Sequence, residues 1–126
     1  MTLDYISNIN EYADDVVRLY DFDMAQAILF RDAVQDSILN KKQTLELASL
    51  PFIESRNCML TLRLSEEDLG IEIQRSAQLY CDLTLEAYQT MVKLLEPFCN
   101  RETKGYKCLY DVDSPTDLLF SPGGTW

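Results

Sequence analysis

From Cys58 to Ser65 apolar and polar side chains alternate without a break: Cys58, Leu60, Leu62 and Leu64 share one face, and Met59, Thr61, Arg63 and Ser65 the other. A period of two is that of a half-buried strand. After the polar run Ser65-Glu66-Glu67-Asp68 the alternation resumes on odd positions, at Ile71, Ile73, Ala77, Leu79, Cys81 and Leu83. This predicts a second strand folded back antiparallel on the first. With Leu64 opposite Ile71, Leu62 meets Ile73 and Cys58 meets Ala77, and a slip of one residue would turn the whole apolar face to water. Arg75 falls opposite Leu60 in this register, so a bulge or bend is expected near Arg75-Ser76.

The period then changes to that of a helix. Thr84 is a good N-cap, Glu86 complements the positive helix end, and Leu85, Tyr88, Val92, Leu95 and Cys99 form an apolar stripe flanked by Met91 and Phe98. Pro97 predicts a stop within a few residues of Glu96. Earlier in the chain, Val16 to Phe22 reads as a strand with Tyr20 and Phe22 on one side and Asp21 and Asp23 on the other. Asp23 and Gln26 stand as in a capping box, opening a helix from Met24 to about Leu39 with Ala27, Phe30, Val34 and Ile38 as its stripe.

The remaining segments carry weaker signals. Residues 1–14, with Leu3, Tyr5, Ile6, Ile9 and Tyr12, suit a short packed helix or an ordered arm. A short strand is expected at about 43–47, and Tyr106, Cys108, Tyr110 and Val112 alternate as a last strand. Leu118-Leu119-Phe120 reads as an apolar return before the turn Ser121-Pro122-Gly123-Gly124, and Trp126 calls for a pocket or a partner. No internal repeat is evident. The sum is an α+β two-layer sandwich, an antiparallel or mixed sheet of four to six strands with two main helices on one face.

A chain of 126 residues, 47% hydrophobic with four Gly and four Pro, is expected to form a single domain over residues 1–126. No apolar run reaches the roughly 20 residues of a membrane helix and no signal peptide is recognisable, which points to the cytoplasm. The excess of 21 Asp and Glu over 11 Lys and Arg gives a formal charge of −10. Such a balance disfavours nucleic acid and anionic membrane surfaces and favours a basic protein partner. In size, acidity and lack of histidine the chain is similar to bacterial immunity proteins that block basic toxins, a likeness of charge and size with no motif behind it.

Candidate chemistry is sparse. Without histidine the usual base for a serine or cysteine nucleophile is missing, no glycine-rich phosphate loop occurs, and nothing calls for a cofactor. The four cysteines lack metal-ligand spacing and read as reduced, buried thiols. The candidate binding residues are Arg63, Tyr80 and Asp82 on the polar face of the central strands, with Asp21, Asp111 and Asp113 at strand ends. If Asp21 and Asp23 met Asp111 and Asp113 in one pocket, oxygen ligands for magnesium or calcium would converge there. The leading expectation is therefore a non-catalytic binding protein with an acidic surface. A small enzyme or metal site on the aspartates, and a homo-oligomeric structural or regulatory module, are the alternatives.

Overall fold

The computed structural model describes residues 1–7, 15–75 and 77–124, with Arg75 described in its backbone only. Its elements are β1 (Thr2–Ile6), β2 (Asp15–Tyr20), α1 (Met24–Val34) continuing into a π-helical turn (Gln35–Asn40), β3 (Leu45–Glu46), a 3-10 turn (Leu47–Ser49), β4 (Glu54–Ser55), β5 (Met59–Leu64), β6 (Gly70–Arg75), β7 (Gln78–Leu83), α2 (Leu85–Asn100), β8 (Lys107–Cys108) and β9 (Thr116–Ser121). The protein is α+β, the described residues forming two α-helices and two mixed sheets in the orders β4-β1-β2-β9-β8 and β3-β5-β7-β6.

The order of elements repeats. A hairpin, a helix, a short strand and a long strand run β1-β2-α1-β3-β5 in the first half and β6-β7-α2-β8-β9 in the second. Each hairpin is antiparallel, but the long strand of each half pairs in parallel with the hairpin of the other, β9 with β2 and β5 with β7. The short strands follow their own long ones, β3 on β5 and β8 on β9. Neither sheet can therefore form from one half alone.

Several expectations are corrected by this topology. The run 71–83 is not one strand but two: Ala77, at φ 69°, turns the chain back, with a register shift between Ile73 and Arg75. Ser76 itself lies outside the described residues. β5 pairs in parallel with β7, setting Leu60 beside Leu79, Leu62 beside Cys81 and Leu64 beside Leu83, and not antiparallel with Ile71 and Ile73. Parity is the same in both arrangements, so the expected apolar face survives with different partners. Leu79 is 1% exposed, but Ile73 on the edge strand β6 is 48% exposed.

The N-terminal segment is a strand, with Leu3 fully buried in β1; Ile9, Tyr12 and Trp126 lie outside the described residues. The apolar return at 118–120 is likewise part of a central strand, and Phe120 sits in an aromatic cluster with Phe22, Phe30 and Phe98 at centroid distances of 4.3, 5.6 and 5.0 Å. Phe22 reaches that cluster because Asp21 adopts φ 57° and breaks the strand, so Phe22 and Tyr20 do not continue one face. The expected last strand at 106–112 shrinks to Lys107–Cys108, and Leu109 rather than Cys108 faces the core.

The helices follow their sequence signals more closely. Asp23 accepts from the Gln26 N–H at 2.9 Å and Thr84 from the Ala87 N–H at 3.2 Å. α2 nevertheless runs through Pro97 to Asn100. A proline in a helix interior costs about 3 kcal/mol. Ending the helix earlier would uncover Phe98 and Cys99, 3% and 5% exposed, and burying one large apolar side chain is worth about 1.5–3 kcal/mol.

Candidate functional site

Three of the six candidate binding residues come together on the outer face of the second sheet. β5 and β7 set Arg63 directly beside Asp82, and the guanidinium donates two hydrogen bonds to that carboxylate, at 2.7 and 2.8 Å. It also lies 4.2 Å from the centroid of the Tyr80 ring. Asp82 is only 8% exposed, and such a bidentate pair satisfies both partners. The first sheet carries an analogue: Arg18 on β2 donates to Asp4 on β1, and Tyr20 also donates to Asp4 at 3.0 Å. The Arg63 cluster is therefore best understood as a clamp across the strands, its charges committed to each other.

The four aspartates do not converge. Asp21 follows the C-terminal end of β2, whereas Asp111 and Asp113 precede β9, whose start lies beside the start of β2. A six-residue strand at about 3.3 Å per residue separates the two ends by about 17 Å. Among the described residues no group of three or more Asp, Glu or Cys side chains is placed to hold a metal ion.

Asp111 instead lines a groove of about 740 Å³, between the first half of α2 and the segment 107–112. The groove's floor is apolar, with the partly exposed Ala87, Leu94 and Val112. Its rim carries the carboxylates of Asp68, Glu86, Asp111 and Asp117 against the single amine of Lys107. Local structure holds this arrangement. Asp68 accepts from the Thr84 N–H at 2.8 Å, tying the 66–70 turn to the start of α2. The Tyr110 hydroxyl accepts from the Ile71 N–H at 3.2 Å and donates to the Thr116 carbonyl, tying the far wall to both sheets.

Gly70, at φ 76°, allows the turn and wall to approach closely: a Cβ there would lie 2.7 Å from Ser114 Oγ. Glu66, Glu67 and Asp113, neighbours of this contact in sequence, are exposed and do not line the groove. Cys108, the one exposed thiol of four, also lines the groove, and its pKa is raised by burial first and then by Asp117 and Asp111. A protonated thiol is a poor nucleophile, so the wall offers negative charge and no activated group.

Sequence reasoning singled out Asp111 and Asp113 but for the wrong association, and left Glu86, Lys107 and Asp117 aside. The groove's charges run from Asp68 to Asp117 along 50 residues of chain, and only the docking of the 107–117 segment beside the start of α2 collects them. The chain matches no protein-family model, and no curated protein is significantly similar to it.

Proposed function

We propose that this is a non-catalytic binding protein whose acidic groove receives a positively charged segment of a protein partner. The observation that carries the reading is the groove itself: four carboxylates facing one amine over an apolar floor, in a chain of formal charge −10. Its volume lies within the range of about 300–1,000 Å³ typical of ligand clefts. Opposite charge on the partner would speed encounter and select against acidic competitors. Neutralising or regulating a basic protein is the role such a surface suits. The four free cysteines, three of them buried, are in keeping with a reducing cytoplasm. Among the described residues no helix is long and apolar enough to cross a membrane.

The test is a titration of a fluorescent lysine-rich peptide into the protein, followed by anisotropy at rising salt. Binding should weaken as the screening length falls below about 10 Å, near 0.1 M salt. Each of Glu86→Lys and Asp111→Lys removes an attraction and adds a repulsion, each worth about 0.2–1 kcal/mol at a surface, so the double variant should bind about tenfold more weakly. The same charge change at Glu46 and Glu54, away from the groove, should leave affinity nearly as it was. Equal losses from both pairs would mean that bulk charge and not the groove is responsible, and the reading would fall.

A further inference from the structure

The groove has one wall that is more than a charged rim. β8 is the last strand of the first sheet, and both of its residues, Lys107 and Cys108, line the groove. Leu109 donates its N–H to Leu118 O at 2.9 Å across to β9, and Lys107 stands opposite Phe120 in the same ladder. In an antiparallel pair the backbone groups alternate between facing the partner strand and facing away from it. The N–H and C=O of Cys108 therefore point away from β9, toward the groove side of the sheet edge, and no described strand lies beyond them. Opposite this edge runs the face of α2 formed by Ala87, Thr90 and Leu94.

A slot between a strand edge and a helix, with an apolar floor and an acidic rim, selects its occupant by two independent criteria. The edge offers the N–H and C=O of Cys108 side by side, where an extended chain can pair with them and a helix, whose own backbone groups are paired, cannot. The rim supplies the charge preference. The floor accepts apolar side chains at alternate positions, since those of a strand point to opposite sides.

We infer that the groove binds an extended, basic segment of a partner protein as an added strand on the Cys108 edge of β8, with apolar residues alternating with lysine or arginine. The apolar residues rest on Ala87, Leu94 and Val112, and the cationic ones meet Asp68, Glu86, Asp111 and Asp117. A second copy of this chain is a poor occupant, because its own formal charge of −10 would be repelled. The inference rests on the proposed function above and adds the conformation of the ligand and the backbone atoms that hold it.

The experiment uses the full chain, isotopically labelled, and a synthetic peptide alternating lysine with valine at low ionic strength. Amide exchange of Cys108 is followed by NMR with and without the peptide. A second peptide of identical side chains, N-methylated at every residue, keeps the charge but cannot donate main-chain hydrogen bonds. The expected result is that the first peptide binds and slows exchange at Cys108 at least tenfold, while the N-methylated one binds at least tenfold more weakly. Equal binding of both peptides, or binding that leaves exchange at Cys108 unchanged, would overturn strand addition and leave the acidic groove standing as a charge-selective site. Failure of both peptides to bind would overturn strand addition and remove the proposed function with it.

Discussion

Gly70 opens β6 where the segment carrying Tyr110 and Ser114 comes closest to it, and replacing it by alanine puts the architecture of the groove under direct test. The backbone there has φ 76°, and a new Cβ would meet Ser114 Oγ at 2.7 Å, Ser114 Cβ at 3.2 Å and Tyr110 Cε1 at 3.3 Å. The left-handed conformation costs a residue with a Cβ about 1–2 kcal/mol. Ser114 can swing its hydroxyl away only by giving up its hydrogen bond to the Thr116 carbonyl, at 3.2 Å, worth about 0.5–1.5 kcal/mol. Gly70→Ala should therefore destabilise the protein by about 2–3 kcal/mol, a fall in thermal midpoint of roughly 6–15 °C for a chain of this size.

The assay is urea unfolding of Gly70→Ala, Ser114→Ala and the double variant. In the double variant the shortest contact is gone, so the two losses should fall short of adding by about 0.5–1.5 kcal/mol, leaving the backbone strain. Because Tyr110 forms part of the groove wall, Gly70→Ala should also weaken binding of a lysine-rich peptide. A Gly70→Ala variant within about 0.5 kcal/mol of the parent would refute the claim of a required left-handed residue. Strict additivity would refute the claim of close approach.

Other consequences follow from the same packing. The Tyr88 hydroxyl, fully buried, lies 2.8 Å from both the Arg63 and Cys81 carbonyls, bridging the parallel strands β5 and β7; Tyr88→Phe should cost about 1–3 kcal/mol in chemical denaturation by leaving those carbonyls underserved. Cys108 alone should react with a disulfide reagent in the folded protein, and Asp111→Asn should speed that reaction near neutral pH by removing a charge that opposes the thiolate. Burial pushes Cys58 up to about 11 and Cys81 up to about 12 from an ordinary value of 9.0. Both are raised in the folded state, so the stability they contribute is complete below about pH 9 and is lost as pH climbs from 9 toward 12, which unfolding midpoints measured across that window would reveal.

The helices were legible because their evidence is local: Asp23 and Thr84 cap where they stand, and the stripes at Ala27, Phe30, Val34 and at Tyr88, Val92, Leu95 need no knowledge of the partner. Strands β1 and β9 carry no such local mark, each for its own reason. β9 is buried on both faces over Leu118-Leu119-Phe120, so it has no alternation to detect, as for strands at the centre of a parallel arrangement. β1 is buried on both faces over Thr2, Leu3 and Asp4, and the polar Thr2 and Asp4, the latter paired with Arg18 on the neighbouring strand, disguise it as a solvated segment. The reversal at Ala77 lacks the glycine or asparagine that normally marks a left-handed turn.

The candidate site divides along the same line. Arg63, Tyr80 and Asp82 share a face by parity, which is written in the sequence, but their meeting is not: the expected antiparallel register sets Arg63 opposite Glu72, and only the parallel pairing of β5 with β7 brings it beside Asp82. The groove is not written there either, since Asp68, Glu86, Asp111 and Asp117 come from four separate segments and share no period.

What the chain determines by itself is which side chains turn inward along each segment, where its helices begin, and how much negative charge it must carry in water. These are properties of neighbours within a turn or two, set by backbone geometry and capping chemistry. Only the tertiary structure decided which strand lies beside which, because a binary pattern of period two is satisfied equally by any partner of the same parity. The exchange of long strands between the two halves, and the acidic groove that this exchange assembles beside α2, arise at that level and at no lower one.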